Sequence, residues 1–328
     1  MIVLFGIFLL TLLVITALAI VRNDSLYAAV ILNGIFSLLM AASFFLLDAA
    51  DVALTEAAIG AGISTVLFLG ALALTGELEK SPTKHRLLGT AVVAIPTLLI
   101  IFAFFDIPQF GASDAPVHQH VGPWYIEKTP EFIDIPNAVT AVLGSFRGYD
   151  TLGEVFVVFT AGIGVLFLLS ARPLARRNEP FVARDPHKGL RHYLVPRVVG
   201  RFLIPFIFLF GLYVQFHGEY GPGGGFQAGA IVAASLILYS LLEGERRCLV
   251  VIPSGALRWL VAGGALLYGG VGVVGMLLGG NFLDYNVLAS DPVKGQQMGI
   301  ILIELGVGLT VTGVLLSVYH AFAGRGKL

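Results

Sequence analysis

The stretch MIVLFGIFLLTLLVITALAIV, Met1–Val21, contains no charged residue and is long enough to cross the hydrocarbon core of a bilayer as a helix. Similar runs recur along the chain, which has 328 residues, 57% of them hydrophobic and only 12% charged. A segment in lipid must satisfy its own backbone hydrogen bonds, and a helix does so. The sequence therefore predicts an all-α, polytopic transmembrane protein and excludes an ordinary soluble domain. Met1–Val21 also lacks a basic n-region, so we expect it to be a retained helix rather than a cleaved signal peptide.

Apolar segments of spanning length follow one another along the whole chain. Nine are predicted to cross the membrane: Met1–Val21, Leu26–Leu47, Val52–Leu74, Leu87–Phe105, Leu152–Leu169, Leu203–Phe216, Gly225–Leu242, Leu260–Leu278 and Met298–Phe322. The sixth is too short unless it also includes Val198–Arg201, with the arginine snorkelling to the surface. The fifth is expected to recruit Asp150 and Thr151, and Asn137–Phe146 is expected to form a separate interfacial helix.

The distribution of basic residues predicts the orientation, because Lys and Arg are retained on the cytoplasmic side. With the N-terminus outside, only Lys128 and Lys294 lie in outer loops, and Arg147 lies at a membrane edge. The other seventeen basic residues then fall on the inside: Arg22, Lys80, Lys84, Arg86, Arg172, Arg176, Arg177, Arg184, Lys188, Arg191, Arg197, Arg201, Arg246, Arg247, Arg258, Arg325 and Lys327. This asymmetry predicts an N-out, C-in topology.

Charge and cysteine content exclude several classes of function. The net charge is −1, which leaves no basic excess for nucleic acid. The single cysteine, Cys248, has no disulfide partner in the chain and no neighbours of metal-ligand type. Nucleic-acid binding, thiol chemistry and iron–sulfur ligation are therefore not expected. We also expect no cofactor, no permanently bound metal and no enzymatic activity.

Carboxyl groups inside apolar segments are costly, so each is a functional candidate. Glu56 lies five residues after Asp51 in the third segment, and Gly60 and Gly62 follow it and permit a local distortion of the helix. Glu56 could exchange protons or bind a cation, or it could stay protonated and hydrogen-bond a neighbouring helix. Glu304, near the start of the last segment, could likewise act in a relay or hold two helices together.

The stretch SFRGYDTLGE, Ser145–Glu154, carries three charges at the start of the fifth segment. Arg147 could pair with Asp150 and leave Glu154, one turn further on, free to titrate. Two carboxylates and an arginine are typical of an ion relay, although Arg147 and Asp150 could also form only a structural cap.

The stretch HGEYGPGGGF begins at His217 and contains Gly221, Pro222, Gly223, Gly224 and Gly225. Such a sequence cannot continue a helix. It could form a re-entrant loop whose exposed carbonyl groups bind cations, or a tight surface turn between two closely packed helices. Both alternatives remain open from the residues alone.

These motifs, in this order, resemble the Mrp-type multisubunit cation/proton antiporters. DVALTEAAIGAG, from Asp51, resembles the three-helix domain at the C-terminus of the large A subunit, which also occurs as a separate subunit in membrane-bound hydrogenases. FRGYDTLGE, from Phe146, resembles the two-helix domain that follows it. HGEYGPGGGFQAG, from His217, and IELGVGLT, from Ile303, resemble the four-helix B subunit.

The resemblance implies a B subunit fused to the tail domains of the A subunit. The expected domains are a three-helix hydrogenase-D-like domain at 1–86, a two-helix hydrogenase-E-like domain at 87–172, a basic cytoplasmic linker at 173–197 and a four-helix domain of the B-subunit type at 198–328. It also implies that Glu56 and Glu154 match family carboxylates involved in ion movement and could bind Na⁺ transiently.

The function implied by the resemblance is that of an antiporter subunit in a bacterial plasma membrane. Its expected partners are membrane lipid, Na⁺ and H⁺, and the A, C, D, E, F and G subunits of the Mrp antiporter, of which A and D carry the main pumping sites. Two alternatives remain open: a membrane-arm subunit of a respiratory hydrogenase-type complex, and a purely structural scaffold that positions the pumping subunits.

Overall fold

The computed structural model describes residues 1–78, 86–109, 111–170 and 193–325. Within these ranges the chain folds into nine helices long and apolar enough to cross a membrane, as the sequence predicts. We number them α1 (Ile2–Arg22), α2 (Leu26–Leu46), α3 (Ala50–Leu72), α4 (Arg86–Ala103), α5 (Gly148–Ser170), α6 (Leu194–His217), α7 (Gly225–Glu243), α8 (Ser254–Leu277) and α9 (Pro292–Arg325).

Several helices begin earlier than their apolar segments. Helix α9 starts at Pro292 rather than Met298, and α8 at Ser254 rather than Leu260, because a helix continues through polar residues once its apolar part is packed. Residues 171–192, which include most of the linker predicted at 173–197, lie outside the described residues, as do Lys80, Lys84 and Lys327. The N-out orientation stays a prediction.

Short helices connect the long ones. Val121–Phe132 lies between α4 and α5, and Glu245–Val251 lies between α7 and α8. The predicted interfacial helix is present as Ala138–Ala141 followed by a π-helical turn, Val142–Phe146. This segment packs beside α9 and brings backbone groups close to the interior of the helix bundle.

Helix α9 is the centre of the fold, packed against α5, α7 and α8. Its glycines allow close approach of neighbouring backbones: a methyl group at Gly229 of α7 would lie 2.7 Å from the Gly308 carbonyl oxygen. A methyl group at Gly306 would likewise lie 2.7 Å from the carbonyl oxygen of Gly264 on α8. Small residues at such crossings are typical of helices that associate in membranes. In contrast, no residue of α4 from Leu87 onward is buried.

Helix α3 is π-helical over Glu56–Ile63. This segment contains Gly60 and Gly62, which the sequence analysis identified as permitting a distortion. A π-helical turn widens the hydrogen-bond ring by one residue, and such turns occur frequently at functional sites. The distortion begins at Glu56 itself.

One buried carboxylate joins the ends of α6 and α7. Glu243, with a side chain 3% exposed, accepts from Arg247 at 2.6 Å and from Arg197 at 3.4 Å, and it also pairs with Arg201. The three arginines are more exposed than the acid they surround. The sequence analysis did not identify this ion cluster, because Glu243 follows an apolar segment and has the appearance of a surface residue.

Candidate functional site

Asp51 connects the start of α3 to the glycine-rich turn. Its Oδ1 accepts a hydrogen bond from the Gly223 amide at 3.2 Å and from the Asn137 amide group at 3.4 Å. Its backbone carbonyl accepts from the side chain of Gln227 at 3.4 Å. A carboxylate held by backbone and amide donors keeps a fixed position, so Asp51 is part of the turn's framework as well as an acid of the site.

Asn137 organises the glycine-rich turn from the opposite side. Its Nδ2 donates to the carbonyl oxygens of Gly218 and Gly221, both at 2.9 Å, and its Oδ1 accepts from the Val139 amide at 3.0 Å, capping the Ala138–Ala141 helix. The Thr140 hydroxyl is a second donor to the Gly218 carbonyl, at 2.7 Å. These turn carbonyls are therefore already paired and are not exposed for cation binding.

The turn is tight, as one alternative of the sequence analysis held, but it is largely buried rather than on the surface. Gly223, Gly224 and Gly225 are buried, whereas Pro222 is exposed. Gly224 has φ +131°, a conformation that side-chain-bearing residues rarely adopt. His217 lies at the rim, where its ring stacks on Tyr213 with centroids 4.7 Å apart.

Glu304 of α9 lies directly against this turn. Its Oε2 accepts a hydrogen bond from the Gly225 amide, the first residue of α7. The N-terminal end of a helix carries partial positive charge, which favours a carboxylate there. A methyl group at Gly224 would lie 3.0 Å from Oε2 of Glu304, so the glycine leaves the space that the carboxyl group occupies. The same acid therefore links two helices and faces the interior.

Helices α3, α5, α7 and α9, with the Val139–Leu143 segment and Gly223 of the turn, line a partly open cavity of about 470 Å³. Asp51, Glu154 and Glu304 are its acidic residues, and we call it the carboxylate cavity. Glu154 lies at its exposed edge. The remaining polar side chains of the lining are Thr55, Thr140, Thr151 and Gln227.

Glu56 does not line the carboxylate cavity. It faces α2: a methyl group at Gly60 would lie 2.5 Å from Glu56 Oε1 and 2.7 Å from the hydroxyl oxygen of Ser37, which is buried. The structure thus brings Glu154 and Glu304 together with Asp51 and places Glu56 on another face of α3. A methyl group at Gly60 would have no room between these two side chains.

Arg147 and Asp150 form an ion pair at 2.5 Å, as the sequence predicts. They line a second pocket, of about 440 Å³, with residues 145–150 on one side and 281–284 on the other. We call it the Arg147 pocket. Glu154 is outside this ion pair, one turn further along α5.

The sequence analysis missed Glu219, which lies inside the glycine-rich stretch but was not singled out. Its Oε1 is buried without a hydrogen-bond partner, and this burial raises the pKa of the carboxyl group above its ordinary value. Asn137 was quoted only as the start of a segment. The order Pro136-Asn137-Ala138 before a helix is a signal for an N-cap residue that could have identified it.

Comparison with known families divides the chain into two matched parts. Residues 195–317 match the family described as "Domain related to MnhB subunit of Na+/H+ antiporter", and residues 11–77 match the family of the MBH D subunit. The first match covers the glycine-rich turn and Glu304. The second covers Asp51 and Glu56.

Similar proteins include a probable K⁺/H⁺ antiporter A/B subunit of Rhizobium meliloti (strain 1021), 25% identical over 90% of this chain and 32% of that protein. The putative antiporter subunit mnhB2 of Staphylococcus aureus (strain Newman) is 33% identical over 40% of this chain and 94% of its own length. The chain spans about a third of the length of the Rhizobium relative.

Among solved structures, a chain of the Mrp complex from Dietzia sp. DQ12-45-1b superposes with a TM-score of 0.76 at 28% identity, over 96% of this chain and 34% of that chain. The similarity thus extends over the N-terminal and the C-terminal helices together. With nine apolar helices of spanning length in its described residues, the protein is a multi-pass membrane protein. The chain belongs to the MnhB family of multisubunit cation/proton antiporter subunits, with helices similar to the C-terminal part of the A subunit preceding its MnhB domain.

Proposed function

We propose that this chain works in an Mrp-type antiporter of a bacterial plasma membrane by supplying part of the ion pathway. The observation that carries the proposal is the carboxylate cavity, where Asp51, Glu154 and Glu304 come from three separate helices. Acids grouped in an apolar setting repel one another when ionised, so a proton or a cation must neutralise them. Such a site takes up and releases these ions.

Three features of the cavity support ion exchange rather than packing alone. The Gly225 amide stabilises one oxygen of Glu304, while Glu154 lies at the exposed edge and can meet water or a partner protein. The threonine and glutamine side chains of the lining supply the neutral oxygen atoms that cations also use. A packed apolar interface would need none of these groups.

The proposed partners are the A, C, D, E, F and G subunits of the antiporter, and the proposed ions are H⁺ and Na⁺, with proton influx driving Na⁺ extrusion. The relatives' names mention both Na⁺ and K⁺. Glu56 lies outside the cavity, so we assign it a separate role at the α2–α3 contact, where a transient cation or proton would be shared with Ser37. The exposed α4 is a surface for lipid or another protein of the complex.

A hydrogenase-type complex is the competing assignment, supported by the match of residues 11–77 to the MBH D subunit. The antiporter assignment accounts for more of the chain, because the MnhB match covers residues 195–317 and the Mrp complex chain is similar over 96% of the length.

The test is reconstitution of the whole operon in a host without its own antiporters. Everted vesicles energised to an acidic interior should lose part of their pH gradient when Na⁺ or K⁺ is added, and should not do so when this chain is omitted. Co-purification should recover the other subunits. Antiport at the same rate without this chain would refute the proposal.

A further inference from the structure

Three arginines converge on one buried acid at the end of the helix bundle opposite the carboxylate cavity. Gly225 and Glu243 are the first and last residues of α7, so they lie about 27 Å apart along the helix at about 1.5 Å per residue. Glu243 is surrounded by Arg197 and Arg201 of α6 and by Arg247 of the short helix after α7. We call these three basic side chains the arginine cluster.

The arginine cluster carries more positive charge than its acid balances. Arginine stays protonated in proteins, so three guanidinium groups face one carboxylate and two positive charges remain. Each arginine donates to Glu243 through one nitrogen atom within the described residues, which leaves further N–H donors on side chains that are partly exposed. The next acid along the chain, Glu245, faces α9 instead, where its Oε1 lies 3.9 Å from His320 Nδ1. The excess charge therefore suits an acidic group from outside the chain.

The arginine cluster lies at the level where lipid headgroups are expected. Tyr193 directly precedes α6, and Trp259 lies near the start of α8, at the same end of the bundle. Both aromatic side chains are exposed. Exposed Tyr and Trp at the ends of spanning helices are typical of the boundary between hydrocarbon and headgroups. Arg197 follows Tyr193 by about one helical turn and Arg201 by about two, so their side chains can reach this boundary.

Exposed apolar side chains run along α6 beside the cluster. Val198 and Phe202 directly follow the two arginines of this helix, and Phe206 and Leu209 continue the same face. From Val198 to Leu209 this face is about 16 Å long, which is about half the thickness of the hydrocarbon core. An acyl chain packed along it would place its headgroup phosphate at the arginine cluster.

We propose that the arginine cluster binds the headgroup phosphate of an anionic phospholipid. A planar guanidinium group can contact two oxygen atoms of a phosphodiester through parallel N–H···O bonds. A zwitterionic phospholipid also carries a cationic group, which the excess positive charge of the cluster would repel. The bound lipid would contact α6 and the short helix after α7 together, and thereby hold their ends in place. Lipid binding here does not depend on ions passing through the carboxylate cavity.

Lipid binding by the purified complex tests the proposal. The delipidated complex in neutral detergent is titrated with dioleoylphosphatidylglycerol or dioleoylphosphatidylcholine, and native mass spectrometry counts the lipids that stay bound. The wild type should retain a phosphatidylglycerol molecule that a variant with both Arg201 and Arg247 replaced by Gln loses. Affinity at this site should fall about thirtyfold, because each arginine near a membrane surface contributes a factor of about five. Phosphatidylcholine binding should not change.

Arg22→Gln is the matched control. Arg22 is an exposed arginine at the end of α1 and lies outside the cluster, so this variant should bind both lipids as the wild type does. Equal binding of the two lipids by the wild type, or an unchanged phosphatidylglycerol count in the double arginine variant, would overturn the proposal. Displacement of the lipid by millimolar inorganic phosphate would also overturn it, because the cluster would then be a site for soluble anions.

Glu243→Gln separates lipid binding from folding. This variant keeps all three arginines and removes the carboxylate that competes for their donors. Phosphatidylglycerol should therefore bind about fivefold more tightly, since one unit of negative charge is gone, even though the lipid-free protein is less stable. This variant decides the question if the double arginine variant does not assemble. Weaker phosphatidylglycerol binding in Glu243→Gln would overturn the proposal, and so would loss of another subunit from the double arginine variant with its lipid count unchanged.

Discussion

Replacing Gly224 by alanine should destabilise the turn and displace Glu304 at the same time. Gly224 has φ +131°, and holding a side-chain-bearing residue in such a conformation costs about 1–3 kcal/mol. The new methyl group would also lie 3.0 Å from Glu304 Oε2 and 3.4 Å from the Gln227 side-chain oxygen. The 3.0 Å contact requires the carboxyl group to shift by a few tenths of an ångström, and this shift should weaken its hydrogen bond to the Gly225 amide.

Weakening that hydrogen bond adds to the backbone cost. A hydrogen bond to a charged group contributes about 1.5–3 kcal/mol, so the loss of stability for Gly224→Ala should exceed the backbone cost alone and reach at most about 6 kcal/mol. The neighbouring Gly223 differs, because its cost is a collision: an added methyl group would lie 2.6 Å from the Val214 carbonyl oxygen. Leucine at either position should prevent assembly or transport.

Two other glycines provide controls that isolate each contribution. Gly244 has φ +95° with no atom within 4 Å of an added methyl group, so Gly244→Ala should show the backbone cost alone. Gly263 in α8 also has open space and an ordinary φ, and alanine there should stabilise the helix by up to about 1 kcal/mol.

The assay is the thermal midpoint of the detergent-purified complex, followed by size-exclusion detection, together with antiport in vesicles. From most to least stable, the expected order is Gly263→Ala, wild type, Gly244→Ala and Gly224→Ala. Antiport should be strongly reduced in Gly224→Ala alone. If Gly224→Ala matched Gly244→Ala in both stability and transport, the contact between the turn and Glu304 would have no role.

Three further predictions concern polar groups near the helix ends. Glu243→Gln should lower the free energy of unfolding by about 1 kcal/mol, because its arginine partners are more exposed and can be hydrated. Replacing both Arg201 and Arg247 by Gln leaves a buried carboxylate with only Arg197 and should lower it by about 3 kcal/mol. Equal shifts of the thermal midpoint in the two cases would contradict this. Asn137→Ala removes two hydrogen bonds to turn carbonyls and a helix cap, each of which contributes about 1 kcal/mol. The free energy of unfolding should therefore fall by about 3 kcal/mol. An unchanged thermal midpoint would contradict this. Burial raises the pKa of Glu219, so the folded chain loses stability as pH rises from the ordinary carboxyl pKa through the raised one. Glu219→Gln should therefore raise the thermal midpoint at alkaline pH and have little effect at acidic pH. The reverse pH dependence would contradict the assignment.

The sequence could predict the nine spanning helices of the described ranges because eight are apolar runs of spanning length, and the sixth becomes one when Val198–Arg201 are included. It could not fix their ends, since the starts of α8 and α9 are polar and lie beyond those runs. The sequence also could not show that Tyr285, between α8 and α9, is fully buried, because no local pattern distinguishes a buried loop residue from an exposed one.

The candidate acids could be predicted from the sequence, because a carboxyl group inside an apolar segment is energetically costly. The sequence could not show which of these acids line the same cavity. Asp51 and Glu56 are five residues apart on one helix, but Asp51 lies at the cavity and Glu56, where the π-helical segment begins, lies on the α2 side. Glu154 and Glu304 are 150 residues apart in sequence, and only the packing of α5 on α9 brings both to one cavity. Long-range contacts of this kind are absent from any local pattern.

The most direct test of the carboxylate cavity is antiport by the assembled complex carrying Glu304→Gln, with Glu131→Gln as control. Glu131 is an exposed acid paired with Lys128 outside the spanning helices, so its neutralisation should leave transport unchanged. Glutamine at 304 keeps the size of the side chain and its contact with the turn but cannot bind and release a proton. The account predicts that Glu304→Gln and Glu154→Gln abolish antiport or reduce it strongly while the subunits still co-purify. Wild-type transport in both variants across the neutral and alkaline pH range would contradict it.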